Sequence, residues 1–169
     1  HPVALVAFSV VRKIPELRAY AKALGRCGKI SLAPYALPGS EELGSNIAGV
    51  FKEGADVAIL ENHGVVIGGR TLSETFARFE LLEFFCRSLI QAARIGELTL
   101  LSNEDEVAMR SRPEDLPAMD SYQPGTAEKD VRTMLARFIR RGYEQGLFTG
   151  LQGTFSARLG EDHFLITPK

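Results

Sequence analysis

The chain has 169 residues, 45% of them hydrophobic and 24% charged, with a formal net charge of −1, a composition that suits a folded domain with one sizeable core. With charge nearly balanced and no Lys/Arg cluster or aromatic–basic stripe, the electrostatic footprint of a nucleic-acid binder is absent. The richest apolar stretch, Phe76 to Ala93, is broken by Arg78, Glu80, Glu83, Arg87 and Gln91, so it predicts an amphipathic helix and not a membrane span.

Taken in chain order, Val3 to Val11 form an apolar run, and Pro15 precedes an expected helix from Glu16 to Leu24. Cys27 to Pro38 is strand-and-loop material punctuated by Gly and Pro. Ser40, followed by Glu41 and Glu42, has the signature of an N-cap with acidic residues where the helix dipole favours them, and that helix should stop at Gly54. Val57 to Leu60 and Val65 to Ile67 are short apolar runs joined by Glu61-Asn62-His63-Gly64, which predicts antiparallel neighbours. Thr71 or Ser73 can cap the long helix, whose apolar face takes Phe76, Phe79, Leu82, Phe85, Leu89 and Ala93 at helical spacing.

From Ser102 the chain turns polar and proline-rich: a short helix is expected near Asn103 to Arg110, then a linker over 111–125. A second amphipathic helix should begin near Ala127, with Val131, Met134, Leu135, Phe138, Ile139 and Tyr143 inward, and end at Gly146. Two short strands, Thr154 to Arg158 and His163 to Thr167, flank a Gly160-Glu161-Asp162 turn. The two cysteines, Cys27 and Cys86, lie far apart without a CxxC pattern. Buried thiols in a reducing cytosol are expected, with a disulfide as the alternative. No secretory or transit signal is visible, so the expected location is the cytoplasm, with a segment ahead of His1 left open.

Asn62-His63-Gly64 is the first candidate for chemistry. A histidine in a tight turn between strands is held by stiff backbone on both sides, with Gly64 free to take positive φ and the Asn62 amide able to bridge the turn. That setting suits a metal ligand, and equally a histidine bonded to backbone in an ordinary hairpin. His1 would sit at the start of a buried element, while His163, behind Glu161 and Asp162, is expected on the surface. The Gly/Thr/Ser-rich stretch from Thr149 to Ser156 can present N–H groups and hydroxyls to a phosphate or carboxylate, or serve as a plain turn. It lacks the Gly-Lys-Ser/Thr ending of a P-loop.

Together these pieces resemble the class II aldolase/adducin family of sugar-phosphate aldolases and 4-epimerases. His1-Pro2-Val3-Ala4-Leu5-Val6-Ala7-Phe8-Ser9 resembles the second His of the family's His-x-His segment and the helix it opens. Pro34 to Ser40 is similar to the family's approach to the next helix, and Ile59-Leu60-Glu61-Asn62-His63-Gly64-Val65-Val66 to the segment bearing the third ligand. The order and spacing agree over about the first hundred residues. Gly153-Thr154-Phe155-Ser156-Ala157-Arg158 and Phe164-Leu165-Ile166-Thr167-Pro168 resemble the beginning of the same domain, with Thr154 in place of the usual Asn and Lys169 in place of a small Ser or Thr. The chain thus has the later half of a domain first and an early part second.

The resemblance implies an α/β fold, a three-layer αβα arrangement with a largely antiparallel central sheet, represented by partial copies: 1–110, a linker over 111–125, and 126–169. It implies His1 and His63 as ligands of Zn or another divalent metal, and Gly153, Thr154, Ser156 and Lys169 as anion- or substrate-binding residues. The implied function is a metal-dependent aldolase-type lyase acting on a small sugar or hydroxy-carbonyl compound, phosphorylated or not. The alternatives are a non-catalytic, adducin-like interaction module and a sugar-phosphate 4-epimerase. The implied partners are a small-molecule substrate and further copies or domains in an oligomeric or inter-domain assembly, with neither nucleic acid nor membrane. The family's catalytic Glu, its first metal-binding His and its phosphate-binding serines have no counterpart in these residues, which points to a tandem protein.

Overall fold

The computed structural model describes residues 1–111, 125–161 and 163–167. They belong to two compact units, His1–Ser111 and Arg112–Lys169. The expected linker lies outside the described residues apart from its two ends, as do Asp162, Pro168 and Lys169. Among the described residues, no helix is long and apolar enough to cross a membrane.

The first unit is organised around one buried strand. Strand β1 (Ile30–Ala33) leads into helix α3 (Glu41–Lys52), preceded in the chain by α1 (Val3–Val10) and α2 (Ala21–Arg26), and α3 returns the chain to β2 (Val57–Leu60). Strand β3 (Gly64–Ile67) follows by a hairpin, and the long helix α4 (Leu72–Ile95) and short α5 (Asn103–Arg110) complete the unit. The sheet order is β1-β2-β3, with β1 parallel to β2 and β3 antiparallel to it. The α/β class is as expected, but the sheet here is mixed. A helical crossover between β1 and β2 permits parallel pairing, whereas the short turn after β2 forces antiparallel pairing.

Every residue of β2 is buried, as its run of Val, Ala, Ile and Leu requires. Side chains alternate across the sheet. Ala58 and Leu60 join Ala33, Val50 and Ala55 in a cluster closed by Ile47 and Phe51 of α3 and by Val66. Val57 and Ile59, both fully buried, are left for the opposite face, where α1 packs on β2, β3 and α4. The result is a layer of α3, a sheet, and a layer of α1 with α4.

Ser40 caps α3 as expected, its hydroxyl accepting from the Leu43 N–H at 3.1 Å. Thr71, not Ser73, caps α4 in the same way through Glu74 N–H. The single helix expected from Glu16 to Leu24 is instead a 3-10 turn (Leu17–Ala19) followed by α2, because Tyr20 is extended at φ −145° and stacks its ring on Phe85 at 5.9 Å. On α4, Leu82, Phe85 and Leu89 are buried, while Phe76 and Ala93, near its two ends, are exposed.

In the second unit α6 (Thr126–Glu144) packs on the hairpin of β4 (Ser156–Arg158) and β5 (Phe164–Ile166). Both strands are shorter than expected, and Gly146 ends the helix at φ +67°. Phe148 and Phe155 meet at 5.0 Å between ring centroids, and the Phe148 ring lies where a Cβ on Gly142 would stand. Of the residues expected inward on α6, Val131, Leu135 and Ile139 are half-buried, whereas Met134, Phe138 and Tyr143 are exposed. One two-stranded hairpin offers too little apolar surface to cover the whole stripe of a 19-residue helix.

Two consequences can be measured. Cys27 and Cys86 are free and buried. Burial pushes the Cys27 thiol up to about 12, against the Arg78 guanidinium, and it also raises Cys86, helped by the Glu83 carboxylate and Cys27. Both should therefore resist a thiol reagent at neutral pH until denaturant is added. Because the fold keeps protons that the unfolded chain releases above about pH 9, the stability they contribute is complete below that pH and lost as pH climbs toward 12; pH-dependent denaturation tests the sign. The second concerns the β2–β3 turn, where Asn62 takes φ +56°. Asn62→Ala should lower stability by about 1–2 kcal/mol and Asn62→Gly should recover the backbone share, as read by urea unfolding.

Candidate metal centre

The turn after β2 is tied down from three directions. The His63 N–H donates to the Leu60 carbonyl at 3.1 Å, closing the turn itself. The Asn62 N–H donates to the Ser9 carbonyl at the end of α1, also at 3.1 Å, and the Glu61 N–H to Ala33 of β1. The positive φ expected at Gly64 falls on Asn62 instead. The Asn62 amide also does not bridge the turn: its Oδ1 accepts from Arg12 Nε at 3.1 Å and Nη2 at 2.9 Å. Asn tolerates the left-handed region better than most side chains, and that frees Gly64 for a different task.

That task is close approach. A Cβ on Gly64 would stand 3.2 Å from His1 Cδ2, so the missing side chain leaves room for the His1 imidazole. The rings of His1 and His63 lie 5.2 Å apart between centroids, tilted by 37°. Two histidines 62 positions apart in sequence are thus brought together by the packing of α1 against the β2–β3 hairpin. His63 Nδ1 is buried and has no hydrogen-bond partner. The backbone-bonded histidine that the tripeptide also allowed is therefore not formed through that nitrogen.

The N-terminus of α1 is held by a residue with no motif to announce it. Pro2 is the N-cap and supplies no side-chain bond. Instead, Glu83 of α4 accepts from the Ala4 N–H through Oε1 and from the Leu5 N–H through Oε2, both at 3.1 Å. Arg87 Nε donates to the same Oε1 at 2.7 Å. A carboxylate on the free N–H groups of a first helical turn also meets the positive end of the helix dipole. In sequence Glu83 reads only as a charge interrupting an apolar helix; its partners lie 78 and 79 positions away.

Two neighbouring imidazoles, one with a buried unpaired nitrogen, are a donor set that fits a divalent metal such as zinc. Among the described residues no group of three or more His, Cys, Asp or Glu side chains is gathered as a metal cluster, so a closed coordination shell requires ligands beyond this pair.

The anion-binding candidates lie in the second unit. Gly153 bends the backbone at φ +82°, and Gly153, Thr154 and Ser156 are exposed. The preceding turn is closed by Gln152, whose N–H donates to the Thr149 carbonyl at 3.0 Å and whose Oε1 accepts from the Thr149 N–H at 2.9 Å. Beside it a cavity of about 550 Å³ is lined by Arg140, Tyr143, Thr149, Gly153 and Thr167. His163 is exposed, as expected.

Residues 1–90 match the family model described as "Class II Aldolase and Adducin N-terminal domain". No curated protein matches the chain. Among solved structures, an L-fuculose 1-phosphate aldolase is 25% identical, with a TM-score of 0.57 over 65% of this chain and 51% of its own. YgbL from Klebsiella pneumoniae, titled as a candidate aldolase/epimerase/decarboxylase, is 26% identical, with a TM-score of 0.55 over 63% of this chain and 53% of its own. An aldolase II superfamily protein from Pseudomonas syringae, 20% identical, shares the fold at a TM-score of 0.50 over 84% of this chain and 54% of its own. The chain spans about half the length of these structures. With more than half of its residues inside the family model, the chain belongs to the class II aldolase and adducin N-terminal domain family.

Proposed function

We propose that the chain supplies half of a divalent-metal centre, most simply zinc, for an aldolase-type lyase acting on a small sugar or hydroxy-carbonyl substrate. The observation that carries this reading is the pair of imidazoles, His1 and His63, 5.2 Å apart, with His63 Nδ1 buried and unpartnered. Further support comes from family membership and from the likeness to an L-fuculose 1-phosphate aldolase. His1 and His63 would hold the ion, with the remaining ligands from outside this pair. A bound ion of this kind supplies Lewis acidity toward a carbonyl or hydroxyl oxygen of the substrate.

The other parts of the reading concern what the protein's own residues do. The Leu60–His63 hydrogen bond closes the turn that carries His63, and the absent side chain at Gly64 leaves room for the His1 ring. Gly153, Thr154 and Ser156, exposed on a loop of the second unit, would offer donors to an anionic group of a substrate. On this reading the two units are the later part of one family domain and the early part of another, in a tandem protein. Completion of each site then falls to other domains or copies.

Calorimetric titration with Zn²⁺ tests the centre. The chain should bind zinc weakly, and His63→Ala should reduce the affinity more than about tenfold, since removing a ligand costs at least as much as removing its support. Gly64→Ala, which drives a methyl against the His1 ring, should weaken binding in the same direction. No zinc binding with both histidines intact would favour the adducin-like interaction module. With sugar phosphates as substrates, the 169-residue chain should show no aldol cleavage, because among the described residues no third His, Cys, Asp or Glu side chain gathers with the pair to complete the centre; measurable cleavage would overturn this assignment. In a protein carrying the remaining ligands, product analysis separates cleavage from 4-epimerisation.

A further inference from the structure

We infer that Glu83 is a positioning residue for the metal centre: by binding the first turn of α1 it sets where His1 stands relative to His63. Its consequence for metal affinity rests on the function proposed above, but the positioning itself does not.

The first turn of any helix leaves N–H groups without intrahelical partners, and these are normally met by the side chain of the N-cap residue. Here the N-cap is Pro2, which has no such side chain. The two N–H groups that a Ser or Asp cap would satisfy, those of Ala4 and Leu5, both go to Glu83, one to each carboxylate oxygen. Glu83 is itself only 8% exposed, and Arg87 holds Oε1 from the side. The path from this contact to His1 is short and stiff. Pro2 is locked at φ −71° and its carbonyl accepts from the Val6 N–H at 2.9 Å, so His1 is one residue beyond a fixed point. If the first turn of α1 shifted or frayed, His1 would leave its place over Gly64, while His63, held by the hairpin, would stay.

Glu83→Gln tests this nearly isosterically, because an amide keeps one acceptor and turns a donor against the other N–H. Two readouts are followed in the 169-residue chain: the through-space NMR cross-peak between the His1 and His63 rings without metal, and the affinity for Zn²⁺. The cross-peak should be present in the unsubstituted chain and lost in Glu83→Gln, with zinc affinity lower by about 10–100-fold, the usual effect of losing support behind a ligand. Adding Pro2→Ser to Glu83→Gln supplies a hydroxyl cap to the same N–H groups and should restore the cross-peak and most of the affinity. Rescue of this kind is not expected if Glu83 merely fills space. Should Glu83→Gln fail to fold, recovery of folding and of the cross-peak in the double variant supports the inference equally.

An unchanged cross-peak in Glu83→Gln, or a lost one that Pro2→Ser does not restore, overturns the inference. A cross-peak lost and restored in a protein that binds no zinc in any form supports the positioning role and overturns the metal reading instead.

Discussion

Helix α1 is eight residues long, apolar except for Ser9, and without a side-chain cap of its own, so its placement comes from its packing on other elements and its bonds to them. At its beginning the Glu83 carboxylate takes two backbone N–H groups. At its end the Ser9 carbonyl takes the N–H of Asn62 in the β2–β3 turn. The helix is therefore strung between α4 and the hairpin, clamped at both ends by hydrogen bonds between residues far apart in sequence. The meeting of His1 and His63 follows from those clamps. Neither ring needs to bind the other for the pair to exist.

Those clamps hold because of what lies behind them. β2 is buried on both faces, with α3 over Ala58 and Leu60 and the α1–α4 layer over Val57 and Ile59, and a strand so enclosed leaves no slack in the hairpin that follows it. At the other end of the hairpin, Asp56 accepts the Lys29 N–H at 2.9 Å and pairs with Arg78 at 3.3 Å, fixing the edge from which α4 departs. α4 then carries Glu83 back to α1. Sheet, hairpin and long helix form a closed loop of constraints that brings the imidazole pair together. Side chains set on such elements are preorganised, since little conformational freedom is left to them.

The second unit contrasts with the first. Its helix carries a strong apolar stripe, yet Met134, Phe138 and Tyr143 lie exposed beside half-buried Val131, Leu135 and Ile139. A helix and a two-stranded hairpin cannot enclose that stripe by themselves. Its loop keeps a Gly/Thr/Ser composition suited to an anion, and its turn is internally bonded through Gln152.

Much of this was legible in the sequence because it rests on local rules. Ser40 caps α3, the Val57–Leu60 run is a buried strand, the Asn/Gly turn makes a hairpin, and the helix periods of α4 and α6 are plain. The family resemblance then singled out His1 and His63 from residue types in order. What the sequence could not convey was anything decided by distant partners. The left-handed residue of the turn is Asn62 and not Gly64, because Arg12, fifty positions away, takes the Asn62 side chain while Gly64 is kept bare for His1. Tyr20 breaks a helix that local propensity would have continued, since its ring stacks on Phe85 of α4. Glu83 looks like a solvated charge until α1 packs against it, because its partners are backbone N–H groups, and those carry no signature in the amino-acid letters. Element types and side-chain caps were set by the sequence, and the relative position of the two imidazoles by tertiary packing, because only packing brings one end of α1 to the carboxylate that holds it.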